Sequence, residues 1–301
     1  MPKFPPNVRI VEVGPRDGLQ NEAAVLSTAD KKAFIETLTD SGLSEIEVTA
    51  FVNPAKVPQM ADAMDLAQQL PQKAGVTYTA LIANQRGLDN ALACGLKRVA
   101  VFTATSDSFT QRNINQTVSE SLTRFEPLVQ QALGAGLSLR GYVSTAFYCP
   151  YEGRMSVARL QTVIQTLLDM GVDEVSVGDT IGAAVPSDVE GVVSCLLSEF
   201  SADQLAMHFH DTSGTALANV YAALRLGIYR FDSSAGGLGG CPYAPGAAGN
   251  LATEDLLYML HQMGIITGVS LEKVQQASNQ LAQALGRTLP SRQLARLNGQ
   301  A

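Results

Sequence analysis

Charge is scarce in this chain: Asp, Glu, Lys and Arg make up 16% of its 301 residues, against roughly 25% in soluble proteins. The charges present lean acidic, 28 against 21, for a formal net charge of −7. An acidic chain repels phosphate backbones, so nucleic acid is not an expected partner. No apolar run approaches the ~18–20 residues that span a bilayer, so no membrane is expected either. Cysteine is sparse as well. Cys94, Cys149, Cys195 and Cys241 lie far apart without CxxC spacing, which excludes a zinc knuckle and a disulfide framework and points to reduced thiols. The stretch from Met1 to Gly14 holds one Lys and no apolar segment of signal-peptide length, and Asn298-Gly299-Gln300-Ala301 is not a peroxisomal tripeptide. A cytoplasmic protein is the expectation.

What the chain does have is apolar residues, 46% of the total, enough to bury a large core. They are organised by one repeated feature. A helical pattern closes on Gly and an aliphatic residue, and a β-branched run follows: Gly42-Leu43 before EIEVTAF, Gly75-Val76 before TYTALI, Gly95-Leu96 before RVAVFTA. It returns at Gly136-Leu137 before RGYVST, Gly171-Val172 before EVSVGDT and Gly227-Ile228 before YRFDSS. Glycine at a helix C-terminus tolerates positive φ and marks the turn back into a sheet. With VRIVEVG and LAMHFHD these runs make eight strands, read as apolar on both faces, as parallel strands covered by helices are. The alternation implies right-handed βα units.

An open doubly wound sheet and a TIM barrel share that alternation, and the polar residues separate them. Gly14-Pro15-Arg16-Asp17-Gly18 ends the first strand, Gly178-Asp179-Thr180 the sixth, and the seventh carries His208, His210 and Asp211. Only closure brings strands one and seven to a common centre, and barrel enzymes keep their chemistry at strand C-terminal ends. The expected fold is therefore an α/β TIM (β/α)8 barrel with an additional C-terminal helix, in one domain over 1–301. The barrel covers about 7–265 and a C-terminal helical extension about 266–301, with an amphipathic helix from about Ser270 to Leu285 and a tail beyond.

His208 and His210 are two of three histidines. In a strand they face the same way, which suits chelation as well as it suits a hydrogen-bonded core pair. Asp17 can add a carboxylate to the same point. Imidazole, carboxylate and amide oxygen together favour Mn2+ ahead of Mg2+ by ligand type. His261, in a helical stretch, reads as a surface or packing residue.

VEVGPRDGLQNE (Val11 to Glu22), HFHDTSG (His208 to Gly214) and GLGGCPYAPGAAGNLATED (Gly237 to Asp255) together resemble the 3-hydroxy-3-methylglutaryl-CoA lyase family. FVNPAKVPQM, NINQTVSESLTRF, GYVSTAFYCPYEG and VSVGDTIG extend the likeness over nearly the whole chain. RDG with HxH alone would mark only the wider metallolyase barrels, among them isopropylmalate and homocitrate synthases; the GLGGCPYAPG loop is more specific. The resemblance implies cleavage of hydroxymethylglutaryl-CoA to acetoacetate and acetyl-CoA, as in leucine degradation, by a homodimer with Mg2+ or Mn2+. It implies metal ligation by Asp17, His208, His210 and Asn250. It puts Arg16, Glu47, Asp179, Cys241 and Glu254 on the family's other functional positions. Gln20 and Thr180 join Asp179 and Glu254 as residues expected to bind substrate or orient those that do.

The implied reaction is a retro-Claisen cleavage. Arg16 would stabilise the thioester oxygen as it becomes an enolate, and Cys241, a mostly neutral thiol at pH 7, would protonate that enolate. Asp17, Glu47 and His208 all remain candidates for the base. Asp179 either orients a ligand or Arg16, or caps the turn that follows it. Asn250 is otherwise an N-cap of the last helix. Cys94 and Cys195 read as packing residues and Cys149 as structural. Lys56, Arg112 and Arg154 are candidates for CoA phosphates or plain surface. Phe102, Thr103 and Phe147 are candidates for the pocket around the C3 substituent. A larger substituent, such as isohexenyl, is the alternative substrate; a catalytically silent acyl-CoA-binding barrel is the alternative without chemistry.

Overall fold

The computed structural model describes residues 4–240 and 249–299. Eight parallel strands form one closed barrel: β1 (Arg9–Glu12), β2 (Glu45–Phe51), β3 (Thr77–Ile82), β4 (Arg98–Ala104), β5 (Ser138–Ser144), β6 (Glu174–Asp179), β7 (Leu205–Phe209) and β8 (Arg230–Ser233). They match the eight expected runs. The seam is the pairing of β1 with β8, from Arg9 opposite Arg230 to Glu12 opposite Ser233, while the other edge of β1 pairs with β2. An open sheet is excluded, and the fold is a TIM barrel.

The glycines that punctuate the sequence turn the chain as expected: Gly42, Gly75, Gly95, Gly136, Gly171 and Gly227 all have positive φ, between 70° and 101°. At Gly42 the requirement is double, because a Cβ there would also run into the backbone carbonyl of Gly268.

The strands are not apolar on both faces. Ile46, Val48, Leu139, Val143, Val175, Val177 and Phe231 belong to the continuous apolar core that includes the helices, but the alternate positions carry charge. Glu45 pairs with Arg9 at 2.6 Å and Arg98 at 3.0 Å. Arg140 pairs with Glu174 at 2.8 Å and also with Asp232. Arg140 on β5 and Asp232 on β8 are separated by two strands, so they meet across the barrel interior. Period two separates the faces, and averaging over each run conceals the charged one.

The expected C-terminal helix is present as Leu271–Leu285, but the segment read as a tail folds too, as a second helix, Arg292–Asn298. Its first turn borrows acceptors: Asp255 accepts from Ser291 Oγ at 2.9 Å and from the Arg292 and Gln293 amides at 3.2 and 2.7 Å, and Ser291 Oγ accepts from the Leu294 amide. Short as it is, the helix is stabilised by these acceptors and by burial of Leu289 and Leu294. Cys195, expected to pack, is exposed; Cys149 is buried with its thiol 3.0 Å from Ser106 Oγ. No helix among the described residues is long and apolar enough to cross a membrane.

Two glycines separate strain from collision. Gly75 has positive φ and nothing within 4 Å of a built Cβ, so Gly75→Ala should cost only the left-handed backbone term, about 1–2 kcal/mol. Gly42→Ala adds the Gly268 collision and should cost above ~3 kcal/mol. Urea unfolding midpoints compare the two; equal shifts would contradict the contact.

Candidate active site

β1 runs into a single wide helical turn, Gly14–Gly18, in which the Val13 carbonyl receives the amides of Arg16, Asp17 and Gly18 at 3.2, 2.7 and 3.2 Å. Small residues are needed at both ends. A Cβ on Gly14 would lie 2.6 Å from Glu12 Oε1, and one on Gly18 2.8 Å from Ser234 Oγ. The turn sets Arg16 and Asp17 at the barrel's C-terminal mouth.

Arg16 is buried, with Nε donating to Glu47 Oε2 at 2.5 Å and Nη1 to Asp17 Oδ1 at 2.8 Å, and its guanidinium lies 5.2 Å from the Tyr142 ring centre. Burial opposes its charge, but Glu47 and Asp17 outweigh burial and raise its pKa. Asp17 is the converse: burial would raise its pKa, yet Arg16, His208 and His210 hold it at about 2. Glu47 is pushed up by burial, a shift that Arg16 only partly offsets.

His208 on β7 and His210 just beyond it converge as the HxH spacing requires, while Phe209 between them packs against Phe147. The two Nε2 atoms are 3.2 Å apart, and His208 Nε2 is 3.9 Å from Asp17 Oδ2. On its other side His208 Nδ1 is 3.1 Å from Asp232 Oδ2. Burial and the neighbouring His208 depress His210 to about 4. Donor atoms of Asp17, His208 and His210 all lie within 4.8 Å of one another, close enough to bind one cation.

Asn250 joins them. Its backbone pairs antiparallel opposite that of His210, and its Nδ2 donates to Asp17 Oδ2 at 2.9 Å and to the Leu238 carbonyl at 3.0 Å. It is not a helix cap, because the following helix, Thr253–Gln262, takes Ala252 in that position. Its Oδ1 is buried without a hydrogen-bond partner. An orphaned amide oxygen beside a carboxylate and two facing imidazole nitrogens is a donor set that fits a divalent cation.

A cavity of about 570 Å³ opens over this group. Arg16, Asp17, His208, His210, Gln20 and Thr180 line it. Glu47 does not; it sits behind Arg16. Asp179 does not line it either, and its carboxylate accepts from the Ala183 and Ala184 amides at 3.1 and 3.2 Å, the capping role rather than a hold on Arg16. Burial raises Asp179 to about 6. Glu254, raised to about 7 by burial, is also off the cavity; it accepts from the Gly236 amide at 2.9 Å and from Ser278. Cys241 lies outside the described residues, although Gly240 before it lines the cavity. Of the cationic candidates Lys56 lines the cavity, Arg112 stacks on Tyr151 at 4.3 Å, and Arg154 pairs with Asp188 at 2.8 Å. Of the pocket candidates Phe102 lines the cavity, Thr103 bonds Ser121 at 2.7 Å, and Phe147 packs on Phe209.

Sequence reasoning missed Tyr142 and Arg124, which line the cavity, and Asp232 and Arg140 beneath it. A signal existed for the last two: an ionisable residue inside an otherwise apolar strand, in the same alternation phase as a histidine or carboxylate on a neighbouring strand.

Residues 7–281 match the HMGL-like family. The chain belongs to that family. This HMGL-like protein is 50% identical to the hydroxymethylglutaryl-CoA lyase of Bacillus subtilis, over 97% of both chains. It is 47% identical to the human mitochondrial hydroxymethylglutaryl-CoA lyase, over 97% of this chain and 90% of that one. The crystal structure of the lyase from Pseudomonas aeruginosa superposes with a TM-score of 0.97 at 45% identity, covering 99% of each chain.

If Asp17, His208, His210 and Asn250 bind one cation, His210→Ala should weaken Mn2+ binding at least ~10-fold in calorimetry, and Asn250→Ala should do so to a smaller extent. An unchanged isotherm for His210→Ala would reject the ligand set.

Proposed function

We propose that this protein is a divalent-metal-dependent carbon–carbon lyase that cleaves 3-hydroxy-3-methylglutaryl-CoA to acetoacetate and acetyl-CoA, a reaction of leucine degradation. One observation carries the reading: one carboxylate and two imidazoles, with donor atoms within 4.8 Å of one another, share a cavity wall with a buried guanidinium already fixed between two carboxylates. Asp17, His208, His210 and Asn250 would bind Mg2+ or Mn2+. Such an ion, when bound, acidifies the substrate's C3 hydroxyl and orients it, and the hydroxyl proton passes to Asp17 or His208, the base candidates that line the cavity.

The remaining work falls to the chain. Arg16 donates Nε to Glu47 and Nη1 to Asp17, and Nη2 bonds neither. It serves the thioester oxygen that becomes anionic, and Glu47 holds it there rather than touching substrate. Because the guanidinium is positioned before charge develops, no reorganisation is needed at the moment of cleavage. Cys241 supplies the proton that converts the enolate to acetyl-CoA. Lys56 and Arg124 on the cavity wall provide local positive charge for an acidic protein that must bind a polyanionic CoA. A related lyase from Acinetobacter baumannii, 36% identical with a TM-score of 0.92, was solved with coenzyme A and 3-methylmalate. Full-length identity to methyl-branched lyases favours the methyl over the isohexenyl substrate. The same reading expects a cytoplasmic homodimer, which light scattering in solution and cell fractionation test.

The test is acetoacetate release from hydroxymethylglutaryl-CoA, with and without chelator, beside a longer-branched analogue. No chelator-sensitive release would overturn the reading. Arg16→Gln should lower kcat about 10²–10³-fold while KM moves only a few-fold, since its contact strengthens as the oxygen gains charge. Cys241→Ala should keep metal and substrate affinity and lose most turnover; near-native kcat would remove the thiol from the reaction.

A further inference from the structure

We infer that Asp232 is the positioning residue for His208, its carboxylate holding the imidazole by Nδ1 so that the Nε2 lone pair faces Asp17 and His210. The inference rests on the cation-site reading of Asp17, His208 and His210 and extends it to a residue that does not line the cavity.

Asp232 and His208 are register partners on β8 and β7, and both point into the barrel. Asp232 Oδ2 lies 3.1 Å from His208 Nδ1 and accepts from Ser176 Oγ at 2.7 Å, while Oδ1 takes a hydrogen bond from Arg140 Nη2. Arg140 has only protons to offer, so its partner oxygen is an acceptor, and an ion-paired carboxylate has none to give Nδ1. Nδ1 therefore carries the proton. A neutral imidazole with hydrogen on Nδ1 has its lone pair on Nε2, the atom 3.2 Å from His210 Nε2 and 3.9 Å from Asp17 Oδ2.

The carboxylate cannot swing away. Arg140 is fully buried and fixed in turn by Glu174 at 2.8 Å and by the Tyr142 hydroxyl at 3.1 Å. Glu174, Arg140, Asp232 and His208 form one column from the base of the barrel to its mouth, joined by an ion pair between Glu174 and Arg140 and by side-chain contacts at hydrogen-bond distance from there on. An anionic acceptor on the far nitrogen selects the tautomer, fixes the ring plane and makes Nε2 the stronger donor to a cation.

Two measurements test this. The chain has three histidines, so 15N-histidine NMR of the metal-free wild type, assigned with His261→Gln and His210→Gln, reads the His208 tautomer without touching residue 232. Hydrogen on Nδ1 is expected, and a ring with hydrogen on Nε2 alone would overturn the inference. In calorimetry, folded Asp232→Asn should bind Mn2+ about 10–100-fold more weakly than wild type, and equal affinity would overturn it. Wild-type protein that binds no Mn2+ would instead remove the cation-site reading, and the NMR spectrum would still decide the tautomer.

Discussion

The seam between the first and last strands carries the rest of the molecule. Arg16 and Asp17 follow β1, Asn250 follows β8, and His208 and His210 come from the strand beside β8, so the group exists only while β1 and β8 stay paired. The buried carboxylate of Glu12 clasps that seam at its upper end. It accepts from the Gly14 amide at 2.8 Å, the Ala235 amide at 2.8 Å and Thr253 Oγ1 at 2.7 Å. One side chain thus ties together the turn bearing Arg16, the glycine turn after β8 and the helix after Asn250. Burial pushes Glu12 up to about 8 while its three donors pull it back. With its folded pKa above that of the unfolded chain, the stability it contributes is complete below ~4.5, and falls away as pH rises toward 8.

The interior of the barrel follows from the same constraint. Layers of branched aliphatic side chains are the usual filling; here ion pairs take those places. Buried pairs add little net stability, because desolvation opposes their attraction. The molecule's stability comes from the apolar layer between strands and helices, where the continuous core lies. The interior charges contribute geometry instead. Each is held by at least one partner of opposite sign, so each has one low-energy position.

How much of this the sequence discloses depends on whether a feature is local. Positive-φ glycines before each strand and the HxH spacing are decided within a few residues, and both are legible. Glu47, Asp179 and Glu254 are singled out by the family resemblance, but each one's partner is set by folding: a guanidinium for Glu47, backbone amides for Asp179, and the Gly236 amide with Ser278 for Glu254. Asp232 was hidden by averaging, since RFDS reads as a hydrophobic strand until its register with His208 is known. The last helix escaped notice because its cap is completed by Asp255, a residue from the preceding helix that only tertiary structure brings near.

Asp17 is where these demands meet, and its two oxygens divide them. Oδ1 accepts from Arg16, while Oδ2 accepts from Asn250 and faces His208. Moving the carboxylate toward the imidazoles would draw Arg16 with it, and moving Arg16 would strain its bond to Glu47. The guanidinium proposed to meet the enolate and the donors proposed to hold a cation are therefore linked by a single side chain, seated on a turn whose flanking glycines have no space for a Cβ. A reaction in which one end of the substrate gives up a proton while the other gains charge needs those two groups at a constant separation. A rigid carboxylate between them supplies it without relying on any motion of the barrel.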